Sequence, residues 1–171
     1  MLSQACRDLQ LWQTQRLAVP TIAVNISAHQ VMGPAFARTV ARVLRDTGVD
    51  PTVVCLEVTE SVFLTDAPRA LTVLRAVKDL GVQLSLDDFG TGYSSLSYLR
   101  QLPVDIVKID RSFTTNVPTD NITRSIVGAI IDLSHVSDLT VTAEGIETPV
   151  SSPKSQSSAP TTPKASTSAS P

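Results

Sequence analysis

Aromatic side chains make up only 4% of this 171-residue chain, which also has few glycines (7), histidines (2) and cysteines (2), and a single tryptophan. Cys6 and Cys55 stand alone, without CxxC spacing, which excludes a thiolate zinc site or a disulfide framework. Two buried, reduced thiols in a cytoplasmic protein are the expectation. No apolar run approaches the ~18 residues needed to span a membrane, so no membrane segment is expected. The start, MLSQACRDLQLWQ, has the spacing of an amphipathic helix and not the layout of a signal peptide. An excess of basic charge is missing too: the formal net charge is −2. That sign argues against a nucleic-acid polymer as the main partner and suits a site that gathers divalent cations.

What is present divides at about residue 148. From Pro149 to Pro171 the chain reads PVSSPKSQSSAPTTPKASTSASP, with Val150 its one large aliphatic residue. Such a segment buries too little apolar surface to offset its ordering entropy, so 149–171 is expected to be a disordered Ser/Thr/Pro-rich tail. The tail's two lysines leave residues 1–148 at −4.

Within 1–148, five apolar runs read as strands: Thr21–Ile26, Val53–Val58, Val82–Leu86, Ile106–Ile109 and Leu139–Ala143. Their aliphatic, β-branched composition suits strands covered on both faces. Helical patterns alternate with them. Pro34–Thr47 places Phe36, Val40, Val43 and Leu44 on one face and stops at Gly48. Asp66–Leu80 opens on a capping aspartate, aligns Leu71, Leu74 and Val77, and ends at Gly81. Ser94–Gln101 reads as a short helix, and Asn121–Ser134 repeats Ile122, Ile126 and Ile130 at i, i+4 with Leu133 beside them. Alternation of strand and helix predicts an α/β fold with a parallel sheet.

Each strand carries a polar residue at or just past its C-terminal end: Asn25, Glu57, the pair Asp87–Asp88, Lys108 and Glu144. The intervals of 32, 30, 21 and 36 residues are the scale of one βα unit. Polar groups converging from successive strand ends are what a (β/α)8 barrel site requires, whereas an open doubly wound sheet binds mainly at one crevice. Singly, these residues have ordinary readings: a turn asparagine, a solvated strand-end glutamate, capping aspartates, a surface lysine packed along its stem. Five such accidents at successive strand ends are a poorer explanation than one site.

The donors are all hard oxygens, without histidine, which selects Mg2+ or Mn2+ over zinc or copper. Adjacent carboxylates at Asp87 and Asp88 repel unless a cation lies between them. One aspartate bridging two ions, with its neighbour on the second, is the arrangement of a two-metal phosphodiesterase. Lys108 adds a fixed positive charge suited to orienting water or stabilising phosphate charge. Two look-alikes fail. Asp88-Phe89-Gly90 spells a kinase DFG, but no Gly-rich loop, VAIK lysine or HRD loop precedes it. Gly90-Thr91-Gly92 begins a dinucleotide fingerprint, but Ser95 replaces its third glycine and the aspartates upstream would repel a pyrophosphate.

Asn25-Ile26-Ser27, Glu57-Val58-Thr59-Glu60, Asp87-Asp88-Phe89-Gly90-Thr91-Gly92-Tyr93-Ser94-Ser95-Leu96, Lys108-Ile109-Asp110 and Ala143-Glu144-Gly145-Ile146-Glu147-Thr148 together resemble the successive motifs of the EAL domain, over residues 2–148. The resemblance implies a partial (β/α)8 TIM-like barrel with about five parallel strands retained. Intact members are bacterial phosphodiesterases that open cyclic di-GMP to linear pGpG with two Mg2+ or Mn2+ ions. By this resemblance Asn25, Glu57 and Asp87 match ligands of the first ion. Asp87, Asp88 and Glu144 match those of the second. Lys108 matches the lysine that positions the attacking water, and Glu60 the glutamate that steadies the loop after Asp88. Phe89, Gly90, Thr91, Gly92, Tyr93, Ser94, Ser95 and Leu96 match that loop, which lies near the family's homodimer contact. The Glu-Ala-Leu strand, whose glutamate is a ligand of the first ion, and the final strand of the family have no counterpart here. An incomplete domain with impaired turnover is therefore expected. The alternatives are a non-catalytic cyclic di-GMP-binding or protein-interaction module, and a non-functional gene fragment.

Overall fold

The computed structural model describes residues 1–17, 21–90, 99, 101–117 and 120–145. The Pro149–Pro171 tail and Ile146-Glu147-Thr148 lie outside the described residues. So do Thr91–Leu96 of the loop and most of the short helix expected over Ser94–Gln101.

The elements run α1 (Leu2–Thr14), β1 (Ile22–Asn25), α2 (Ala28–Val31), α3 (Phe36–Thr47), a 3-10 turn (Pro51–Val53), β2 (Val54–Thr59), α4 (Val62–Lys78), β3 (Gln83–Phe89), β4 (Ile106–Ile109), α5 (Arg111–Asn116), α6 (Asn121–Val136) and β5 (Thr140–Ala143). The five strands form one parallel sheet in chain order. Helices occupy the crossovers from β1 to β2, β2 to β3 and β4 to β5, the usual way to join parallel neighbours. None of the helices described is long and apolar enough to cross a membrane.

Helix boundaries follow local chemistry. Ser27 and Gln30 form a capping box at α2, each side chain taking up the other's backbone N–H, in a short helix that apolar periodicity does not signal. α4 begins at Val62, four residues before the expected start, yet its backbone breaks at Asp66 (φ −157°, ψ 84°). The Asp66 carboxylate accepts the Arg69 N–H at 3.1 Å, and Pro68 sits in the first turn that follows, where a missing N–H costs nothing. The expected capped helix is thus present, joined to a preceding turn. Asp110 and Asp120 cap α5 and α6 in the same way.

The two faces of the sheet differ in kind. Val24, Leu56, Val58, Leu84, Leu86, Val107 and Ile109 share one face by register and alternation, and all are buried. With Val40 and Leu44 of α3 and Ala70, Leu74 and Val77 of α4 they form the core, which also takes in Cys6 and Leu9 of α1. The other face carries Asn25, Cys55, Glu57, Ser85, Asp87 and Lys108. The aliphatic residues that dominate the strands thus supply the core face, while polar residues alternate onto the other.

At the N-terminal ends of the strands, Asp105 ties the sheet together. Its carboxylate accepts the Leu84 N–H and the Lys78 ammonium, and its carbonyl accepts the Thr140 N–H, so the starts of β3, β4 and β5 are held at one point.

Candidate functional site

The register sets the site. Asn25 pairs with Glu57 across β1 and β2; Asp87 lies two residues beyond Glu57's own partner, Ser85. Lys108 pairs with Thr142, and Glu144 lies two residues further on. The polar residues therefore stay on one face and step toward the C-terminal rim from strand to strand, the stagger that tilted barrel strands impose.

Between β3 and β4 the ladder slips: Leu86 pairs with Val107 and Phe89 with Ile109, so Asp87 and Asp88 together oppose Lys108. Leu86 and Phe89 are three apart yet both buried with the apolar face. Strict alternation would turn Phe89 outward. The extra residue is accommodated by Asp88 at φ 56°, a left-handed conformation that aspartate tolerates better than most. A bulge thus seats two consecutive carboxylates at the rim.

Lys108 is the centre of the cluster. Its Nζ lies 2.7 Å from Glu144 Oε1, 3.1 Å from Asp87 Oδ1 and 3.2 Å from Glu57 Oε1. Burial works against its charge, but hydrogen bonds to Glu144, Asp87 and Glu57 outweigh it and hold the ammonium well above its ordinary range. The carboxyl of Asp88 is pushed upward, first by desolvation and then by the charges of Asp87, Asp110 and Glu144. Glu60 is buried at the end of β2, where its Oε1 accepts the Gly90 N–H at 3.0 Å and so fixes the first residue past Phe89. Asn25 ends β1 on the same rim and is exposed.

Three carboxylates at one ammonium, with Asp88 beside them, leave the rim with excess negative charge. Like charges ~4 Å apart repel by about 1 kcal/mol in bulk water and about 4 kcal/mol at an effective dielectric of 20, so the half-buried setting amplifies the excess. Among the described residues no three carboxylate, histidine or cysteine side chains form a ready metal cage. The carboxylates are gathered on the Lys108 ammonium instead. The donor set, all hard oxygens with the Asp88 carboxyl raised by burial and acidic neighbours, fits divalent cations of the Mg2+ or Mn2+ kind.

The EAL domain family matches residues 1–155. The chain belongs to the EAL domain family. It is 43% identical over 148 residues to an uncharacterised signalling protein of Caulobacter vibrioides. It is 41% identical over 148 residues to the bifunctional diguanylate cyclase/cyclic di-GMP phosphodiesterase MucR of Pseudomonas aeruginosa. Each match takes in 86% of this chain but only 18% and 22% of those relatives, about a fifth of their length. Among solved structures, the MucR phosphodiesterase in complex with cyclic di-GMP superposes with a TM-score of 0.79 at 41% identity, covering 86% of this chain and 60% of that one. A manganese and cyclic di-GMP complex of Klebsiella pneumoniae BlrP1 gives a TM-score of 0.74 at 28% identity, covering 86% and 38%. The five parallel strands are those of the EAL, TIM-like architecture.

The structure brings Glu57, Asp87, Lys108 and Glu144 into direct contact and sets Asp88, Asn25 and Glu60 around them. Of the expected loop, Phe89 and Gly90 are described. The short helix α5, which touches strand ends on both sides of Lys108, had no counterpart in the sequence reading, because Arg111–Asn116 has no apolar periodicity to signal it.

Proposed function

We propose that this EAL domain carries the metal-binding rim of a cyclic di-GMP phosphodiesterase, which opens the cyclic dinucleotide to linear pGpG. The observation that supports it is the convergence of Glu57, Asp87 and Glu144 on Lys108, with Asp88 beside them in the bulge. Asn25, Glu57 and Asp87 would hold one ion; Asp87, Asp88 and Glu144 would hold a second. When bound, ions of this kind supply Lewis-acid polarisation of phosphoryl oxygens.

The chain's own residues supply the rest. In the metal-free protein, hydrogen bonds to Glu144, Asp87 and Glu57 hold Lys108 protonated against the cost of its burial, which suits it to orient water and neutralise phosphate charge. Glu144, on the opposite side of Lys108 from Glu57, completes the carboxylate ring. Glu60 pins Gly90 and thereby the start of the loop that continues to Leu96.

Residues 1–171 alone hydrolyse slowly in this proposal. Asn25, the outermost ligand, lies on β1, which has no second strand neighbour among the described residues. An incompletely walled site loses preorganisation, and loss of one preorganised stabilising group typically costs about 10²–10³ in rate. Purified protein incubated with cyclic di-GMP and Mn2+ or Mg2+, followed by chromatography, should show slow conversion to pGpG that chelator abolishes. Titration calorimetry should show Mn2+ uptake that Asp88→Ala eliminates. Conversion insensitive to chelator, or equal Mn2+ uptake by wild type and Asp88→Ala, would overturn the site assignment. Tight cyclic di-GMP binding with no conversion at high protein concentration would favour the non-catalytic binding module.

A further inference from the structure

The helix α5 follows β4 after one residue, Asp110, and reaches the strand ends on either side of Lys108. Toward β3, a Cβ built on Gly90 would lie 2.8 Å from Phe113 Cε2 and 3.0 Å from Cζ, so the ring packs directly against the Gly90 backbone. Toward β5, the Thr114 hydroxyl lies 2.5 Å from the Glu144 carbonyl oxygen and 3.1 Å from the Arg111 carbonyl of its own helix, so its one proton is directed at the nearer acceptor, Glu144. A Cβ built on Gly145 would lie 2.6 Å from Arg111 Cγ. Both glycines have positive φ, 101° and 70°, so a side chain at either would be strained as well as obstructed.

We propose that α5 is a bracket and that Thr114 is a positioning residue for Glu144: its hydroxyl fixes the Glu144 peptide and so aims the Glu144 carboxylate at the rim, while Phe113 braces the backbone just past Asp88. The inference rests on the metal-rim reading above and goes beyond it. Three observations support it. Glu144 sits just past β5, which among the described residues pairs on one side only and has exposed residues, so the sheet constrains it weakly. The Glu144 N–H donates to Ile109 O at 3.2 Å, leaving the peptide on its far side to be held by Thr114. The three contacts of α5 fall on Gly90, two residues past Asp88, and on Glu144 and Gly145, so they frame Lys108 from both sides.

The test compares full-length wild type with Thr114→Val, which removes the hydroxyl at nearly constant shape, and Thr114→Ser, which keeps it. In metal-free protein, Thr114→Val should speed amide exchange at Glu144 and shift the Gly145 amide nitrogen, whose peptide partner is the Glu144 carbonyl. Thr114→Ser should restore both. By analogy with outer residues that orient metal ligands, Mn2+ affinity measured by calorimetry should fall about tenfold in Thr114→Val and recover in Thr114→Ser. Unchanged exchange and nitrogen shift in Thr114→Val would overturn the bracket whatever the metal does. Altered exchange with unaltered Mn2+ affinity would reduce Thr114 to a structural contact and overturn the positioning role. No Mn2+ uptake by wild type would instead strike the metal-rim reading itself, and the positioning role with it.

Discussion

β3 and β5 both end in carboxylates that reach Lys108, yet they are built differently. β3 pairs on both sides, with β2 and β4, and buries Leu84, Leu86 and Phe89 almost completely. Among the described residues β5 pairs with β4 alone; Thr140, Thr142 and Ala143 are exposed and Val141 is half-buried. One strand places its acids through a packed core and a bulge, the other through backbone contacts to a short helix. The difference teaches that a site spanning centre and edge draws its rigidity unevenly: ligands on the central strand inherit the stability of the core, and those on the edge depend on local bonds.

The largest effect that would break or sharpen this contrast comes from truncating the centre. Leu84→Ala removes a fully buried side chain and should cost about 2–5 kcal/mol in urea unfolding. Val141→Ala on β5 should cost under about 1 kcal/mol, since less of the side chain leaves contact. Equal losses would mean that β5 is covered in solution and that the contrast is wrong.

Next comes the ammonium that joins the two strands. Lys108→Met leaves Glu57, Asp87 and Glu144 facing one another without their shared cation. The pairs are half-buried, so the loss should be about 2 kcal/mol, below the 3–5 expected for a fully buried pair. Addition of Mn2+ should recover more stability in the variant than in wild type. The pH dependence has a definite sign. A folded-state pKa above the ordinary 10.5 means stabilisation that is complete below about pH 10.5 and lost as pH rises through the folded value. The difference between wild type and Lys108→Met should therefore be level from neutral pH to about pH 10 and shrink above it. A difference already vanishing near pH 8 would show that the ammonium is not held by the carboxylates.

A smaller effect of opposite sign is expected at Asp88. Its carboxyl is raised above the ordinary value of 3.8, so its charged form is disfavoured in the metal-free fold. The fold is relatively best off below pH 3.8 and loses stability as pH rises through the folded value. Asp88→Asn keeps a residue tolerant of positive φ and removes the charge. At neutral pH without metal it should be more stable than wild type, with the gain vanishing in acid; with Mn2+ the order should reverse. A stability loss at neutral pH without metal would count against an anionic rim.

How far the sequence disclosed these features varies with their physical origin. The five strands and their polar ends were legible, because alternation of apolar runs with helical stripes carries through to the sheet. So was the family, from DDFGTGYSSL and its companions. The bulge was written in the spacing Leu84, Leu86, Phe89, a step of two and then of three, though the pattern was not read that way. Thr114 was not legible: its role depends on which carbonyl a short helix meets after the strand ends. Convergence on one rim was legible from the strand ends, but the direct contact of three acids with Lys108 was not, since it is set by register and stagger.

The smallest predicted effect lies in α6. Ile122, Ile126 and Ile130 recur at i, i+4 and share one helix face, yet of the three only Ile130 is buried, at 3% exposure; Ile122 is 73% exposed and Ile126 43%. Periodicity tells which residues share a helix face, but not how far along the helix a partner surface extends. The buried residues of α6, Ile130 and Ser134, lie in its C-terminal half, while Ile122 and Ile126 nearer its N-terminus are exposed. Ile130→Ala should accordingly cost about 2–4 kcal/mol, as for other buried large-to-small changes. Ile122→Ala should change stability by less than about 0.5 kcal/mol, because an exposed side chain loses few contacts and alanine favours the helix. Urea unfolding of the two variants, each at several protein concentrations, decides the matter. A cost at Ile122 comparable to that at Ile130, growing with protein concentration, would show that a second copy covers the helix face, and β5 would then no longer be the weakly held edge.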